Sequence, residues 1–117
     1  MGETRKDLRW LYGEVKSPPF SEAARKEVGA LLNRVQQGRA IPFPLSRPMP
    51  SIGPNCHELR VPDQDKTWRV VYSIRPQAIF VLDVFQKASR KTPRLVIDNC
   101  RARLRRVEQS EWRAKHG

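Results

Sequence analysis

Apolar residues recur along the chain with two different periods, and each change of period marks an element. Between residues 56 and 85 three runs follow one another, CHELRV, TWRVVYSI and AIFVLDVF, all rich in β-branched and aromatic side chains. Short polar joints at 62–66 and 75–77 separate them. This pattern predicts three antiparallel strands over 56–61, 67–74 and 78–85, joined as a meander. The last run is almost continuously apolar and predicts the central strand, buried on both faces. Earlier, Leu8, Trp10 and Tyr12 alternate with Arg9 and Leu11, which predicts a first strand ending at Gly13. The Pro18-Pro19 pair bars its continuation.

Two stretches carry helical spacing instead. Ala24, Val28, Leu31, Leu32 and Val35 form one apolar stripe, and the basic side chains Arg25, Lys26 and Arg34 fall mainly off it. Ser21 is placed to cap this helix, Phe20 to staple its first turn, and Gly38 to end it in the left-handed region. The stripe predicts a face packed on the sheet. From Arg94 a second helix is predicted, with Leu95, Val96, Cys100, Leu104 and Val107 apolar and Arg101, Arg103, Arg105 and Arg106 interleaved. Residues 110–117 read as a polar tail anchored by Trp112. Between the first helix and the meander lie Pro42, Pro44, Pro48, Pro50 and Pro54, which predict an ordered connection without helix or strand. The expectation is an α+β fold: a single domain over 1–117, with its core at about 8–107 and about four antiparallel strands packed against helices.

Charge changes this picture more than composition does. Lys and Arg number 23 against 12 Asp and Glu, a formal net charge of +11 on 117 residues. So large a single-sign excess repels itself and points to a polyanionic partner, of which nucleic acid is the commonest. No apolar run is long enough to span a bilayer and the start is polar, so no membrane is expected and the cytoplasm is the expected location. The two cysteines, Cys56 and Cys100, with His57 and His116, make neither a disulfide framework nor a metal-ligand spacing. No cofactor and no metal are therefore expected. There is no Walker loop, no dinucleotide-binding glycine pattern, no H-E-x-x-H and no nucleophile elbow.

Metal-free cleavage of RNA needs a base for the 2′-hydroxyl, cations for the crowded phosphate and an acid for the leaving 5′-oxygen. The strand-rich segment offers Arg60, Arg69, Lys87, Arg90 and Lys91 as cations, with His57 and Phe85 as stacking surfaces. Alternation puts Trp68, Val70 and Tyr72 on one face and Arg69, Val71 and Ser73 on the other. Glu58 shares a face with Arg60, where it either orients the arginine or acts as a base.

In their order, the first strand, a helix ending in VQQG, a proline-rich loop, HELR, TWRVVY and VFQKASRKTP before a helix resemble the RelE/HigB superfamily of toxins, in its phage-derived, HigB-like branch. The resemblance spans about residues 8–107. It implies a microbial-RNase-like fold and a metal-independent, ribosome-dependent mRNA endoribonuclease. It also implies a cognate helix-turn-helix antitoxin, with which a hetero-oligomer forms. On the family pattern Arg69 contacts the scissile phosphate, Arg60 closes the preceding strand, Lys87 stabilises the phosphate or the leaving group, and Lys91 is a basic loop position. Where the best-known members carry lysines and a tyrosine, this chain has Cys56, Glu58 and Pro93. Two other readings stand beside this one: a gyrase-inhibiting toxin of the related ParE type, and a non-catalytic nucleic-acid-binding module.

Overall fold

In a computed structural model, which describes residues 5–17, 19–86 and 91–117, the meander forms as its alternation requires. β3 (Cys56–Asp63), β4 (Lys66–Ile74) and β5 (Ala78–Gln86) pair antiparallel through tight joints. Before them come β1 (Asp7–Trp10), α1 (Glu22–Gln36) and β2 (Ser46–Pro48), and after them α2 (Arg94–His116). The fold is α+β, with one sheet in the order β1-β5-β4-β3-β2.

Three features depart from the sequence-based expectation. The sheet has five strands rather than about four, because the proline-rich connection supplies β2. Pro48 is tolerated there because β2 is an edge strand, where a missing N–H removes no ladder bond. The sheet is mixed rather than wholly antiparallel, because β1 lies parallel to β5. A parallel neighbour requires a long return path, and α1, β2, β3 and β4 lie between the two strands in sequence. β4, not β5, is therefore the central strand, although β5 is buried on both faces over most of its length.

Each face of the sheet carries one helix and one core. On the first face, Ala24, Val28, Leu31, Leu32 and Val35 of α1 pack on Leu59, Val61, Trp68, Val70, Tyr72, Ile79 and Val81. Fully removing a side chain such as Leu59 or Val70 from water contributes about 2 kcal/mol. On the second face Cys100, Leu104 and Val107 of α2 pack on Met49, Ile52, Cys56, Val71, Ala78, Phe80 and Leu82. Both cysteines are free and buried, and burial pushes the Cys100 thiol up to about 12. A bulge adjusts β5 to this second face. The β4–β5 register passes from Val71↔Asp83 to Tyr72↔Val81, so Leu82 and Asp83 turn to the α2 side together. Asp83 there meets Arg103 at 3.4 Å, while burial raises its pKa.

α1 begins as its punctuation implies, with the Ser21 hydroxyl accepting from Ala24 N–H at 3.0 Å. Gly38, at φ +85°, follows its end. Phe20 goes further than a local staple, because its ring stacks on Trp68 at 3.9 Å in the first core. α2 runs through the segment read as a tail. No glycine or proline interrupts residues 94–116, and the side chains after Val107 are good helix formers. Trp112 anchors nothing: it is 62% exposed and stacks on His116. Among the described residues no helix is long and apolar enough to cross a membrane.

Asp63 ties α1 to the β3–β4 hairpin. Its carboxylate accepts from Ser21 N–H at 2.9 Å and from Trp68 Nε1 at 2.8 Å. These bonds, the Ser21 backbone first, hold its pKa below the ordinary 3.8. A depressed carboxylate stabilises the fold above the unfolded-state pKa, and that contribution is lost as pH falls through the folded-state pKa. Circular-dichroism melts between about pH 7 and about pH 3 check this. Wild type should lose melting temperature steeply at the acid end. Asp63→Asn should start lower at neutral pH and show a flatter acid limb.

Candidate functional site

Strand alternation decides which polar groups of the meander share a surface. Cys56, Glu58 and Arg60 of β3 point to the α2 side, as do Arg69 and Val71 of β4. Arg60 lies directly opposite Arg69 across β3–β4, and Arg69 lies opposite Phe85 across β4–β5. Arg47 of β2 lies opposite Glu58. Arg47, Glu58, Arg60, Arg69 and Phe85 thus occupy one end of the α2-side face.

Glu58 is the centre of this group and has no exposure to solvent. Its Oε1 accepts from Arg69 Nη1 at 2.6 Å and from Arg47 Nε at 3.2 Å. Its Oε2 accepts from the Thr92 hydroxyl at 2.8 Å, and Thr92 in turn accepts from Arg47 at 3.3 Å. A buried carboxylate costs several kcal/mol unless charge and hydrogen bonds offset it. Here two guanidinium groups and one hydroxyl do so, with one positive charge left over. The two arginines differ in access. The Arg69 side chain is 4% exposed, whereas that of Arg47 is 30% exposed at the mouth of a cleft of about 470 Å³. Pro48, Met49, Lys91, Thr92 and Ile97 line the rest of that cleft. Arg69 Nε is buried with no hydrogen-bond partner among the described residues.

The sequence-derived candidates separate on this geometry. Arg60, Arg69, Glu58 and Phe85 come together on one face, and Lys91 stands beside them at the cleft. His57 does not join them. It faces the α1 side, where its ring stacks on Tyr72 at 5.4 Å and burial lowers its pKa. Lys87 and Arg90 lie outside the described residues. Glu58 has Arg69, Arg47 and Thr92 as its partners, with both carboxylate oxygens engaged. That makes it a positioning group for guanidinium forks. Among the described residues no group of His, Cys, Asp and Glu is arranged to hold a metal ion.

Sequence reasoning missed Arg47 and Thr92. Arg47 sits in a stretch whose prolines hide a strand, and Thr92 looks like a turn residue before Pro93. The usable signal was Glu58 itself. An acid on a strand this apolar needs donors, and basic and hydroxyl side chains of other segments are natural candidates. Residues 19–105 match the family model described as Phage derived protein Gp49-like. No curated protein and no solved structure matches the chain.

Removing one partner of a buried pair leaves an uncompensated charge, whereas an exposed pair contributes little. Arg69→Ala should therefore cost about 3 kcal/mol in urea unfolding. Arg47→Ala should cost about 1 kcal/mol or less, since its side chain already reaches water. Equal losses in the two variants would contradict this division of Glu58's support.

Proposed function

The chain belongs to the Gp49-like family of phage-derived proteins, and on that footing we propose that it is the toxin of a type II toxin–antitoxin pair, an mRNA endoribonuclease acting on the ribosome. The observation that carries this reading is the pair of guanidinium groups, Arg47 and Arg69, ordered by one buried carboxylate beside an open cationic cleft. Guanidinium forks match the oxygens of a phosphodiester, and fixed cations act best where charge builds up in the transition state. The net charge of +11 draws a polyanion to the surface.

The proposed reaction is an internal transesterification. The 2′-oxygen bonds to phosphorus and gives up its proton; the bond to the 5′-oxygen breaks, and that oxygen takes up a proton. Arg47 and Arg60 meet the phosphate oxygens, Arg69 supports them from beneath, and Phe85 offers a face to a neighbouring base. Glu58 contributes position rather than proton abstraction, since both of its oxygens are engaged. On the family pattern Lys87 serves the phosphate or the leaving group. The partners of this reading are the ribosome, its mRNA and a helix-turn-helix antitoxin, all in the cytoplasm, with the antitoxin forming a hetero-oligomer.

A second reading, a module that binds RNA without cutting it, draws on the same engagement of Glu58 and on the placement of His57 across the sheet. Primer extension on mRNA from translating ribosomes separates the two. Wild type should leave discrete cuts, and Arg47→Ala should lower cleavage roughly 100-fold with its melt little changed. Arg69→Lys is the informative change at the buried position, because alanine there also removes stability. RNA bound and left intact supports the binding module. Loss of gyrase supercoiling with intact mRNA supports the ParE-type alternative.

A further inference from the structure

The opposite edge of the sheet carries a second surface that the RNA reading does not use. Among the described residues β1 pairs with β5 on one side only. Lys6, just before it, is tied to Gln36 of α1 through its N–H and its carbonyl, and past that point the outer edge of the strand carries no strand partner. Beside it a groove of about 600 Å³ runs between the end of β1 and the C-terminal half of α2. Leu11, Tyr12, Phe80 and Val107 make its apolar wall, and Arg9 and Arg106 stand on its rim. Glu111 also lines it, with its carboxylate taken up by Arg75 at 2.6 Å, and Arg9 has Asp7 at 3.6 Å on its exposed side. Leu11 is 41% exposed and Tyr12 is 55% exposed. One face of the Tyr12 ring is held by the Arg103 guanidinium at 3.9 Å, which is itself fixed by the Leu82 carbonyl and Asp83. This part of α2 has little beneath it: Val107 is its last buried residue, about two and a half turns before the helix ends at His116.

We propose that this groove docks an acidic peptide segment of a partner protein, one whose apolar side chains enter the groove while its carboxylates meet Arg9 and Arg106. Aromatic residues and arginines around an apolar centre are the composition of protein-binding hot spots. An open strand edge beside side-chain pockets suits an extended peptide, which supplies the missing backbone partners. A phosphodiester chain satisfies neither the strand edge nor the aliphatic wall. A second copy of this chain is disfavoured as well, because two cationic rims would face each other. The surface is separate from the Arg47–Glu58–Arg69 cluster, which lies at the β2 end of the sheet. Its test reads peptide binding and is independent of any RNA cleavage.

The probe is a fluorescein-labelled ten-residue peptide alternating glutamate with leucine, titrated against the intact chain at fixed salt. Leu11→Ser and Arg106→Gln alter exposed side chains and should leave the melt unchanged. Each should weaken peptide binding about tenfold. Arg34→Gln removes the same charge from exposed α1 and should change affinity less than about twofold. Slower amide exchange across residues 7–12 on binding is the second expected sign. Equal weakening by Arg106→Gln and Arg34→Gln, with Leu11→Ser binding as wild type, would reduce the effect to net charge and overturn the proposal. So would absence of peptide binding, or a ten-nucleotide oligouridine that loses affinity in the two groove variants while the peptide does not.

Discussion

The carboxylate of Glu58 sets the terms for one whole end of this molecule. It lies in the middle of a strand, without solvent, and its donors arrive from three separate places. Arg47 comes from edge strand β2, Arg69 from central strand β4, and Thr92 from the segment leading into α2. Each donor offsets part of the desolvation of the charge, and none of the three is a sequence neighbour of Glu58. The position of β2, the start of α2 and the mouth of the cleft are therefore coupled through one group. The coupling also sorts the cations. Arg69 is drawn inward and Arg47 is left at the surface, so the more exposed of the two is the one whose direction Thr92 also controls.

The two faces of the sheet solve different problems. The α1 face is covered by a continuous apolar stripe, and its few polar groups are internal ties: Asp63 to Ser21 and Trp68, and the Tyr72 hydroxyl to Ser46 at 2.7 Å. The α2 face is only partly covered. Cys100, Leu104 and Val107 bury its middle, while the arginines occupy the end near the start of the helix. The bulge at Leu82 and Asp83 keeps two successive side chains under α2, and Asp83 takes Arg103 as its partner there. Of the five arginines and lysines that the sequence pointed to, the fold gathers Arg60, Arg69 and Lys91. It adds Arg47, which the sequence did not single out.

At the β2 end the positive charge is built around a buried acid, and Arg47 and Lys91 stand at a cleft whose other walls include Pro48, Met49 and Ile97. At the β1 end the arginines border an aromatic and aliphatic groove beside an unpaired strand. One arrangement suits a phosphate chain and the other suits a peptide. They lie toward opposite edges of the sheet, one near the start of α2 and the other near its end.

The sequence by itself determined what depends on near neighbours. Runs of β-branched and aromatic residues between polar joints located the three meander strands, period 3.6 located α1 and most of α2, and Ser21 and Gly38 marked the ends of α1 through backbone preferences that act within a turn. Strand alternation set Glu58 and Arg60 on one face of their strand and parted Arg69 from Tyr72 on the next, while the β3–β4 register put Arg69 on the face of Arg60. Only the tertiary structure decided what depends on residues far apart in the chain. Pairing of β1 with β5 spans α1, β2, β3 and β4 in sequence, and β2 emerges from a proline-rich stretch because β3 offers it an edge. Arg47 and Thr92 acquire their roles only by meeting Glu58, 11 and 34 positions away. Periodicity reports which way a side chain points. It carries no information on which distant side chain will be there to meet it, and that is settled by the cost of leaving a buried charge alone.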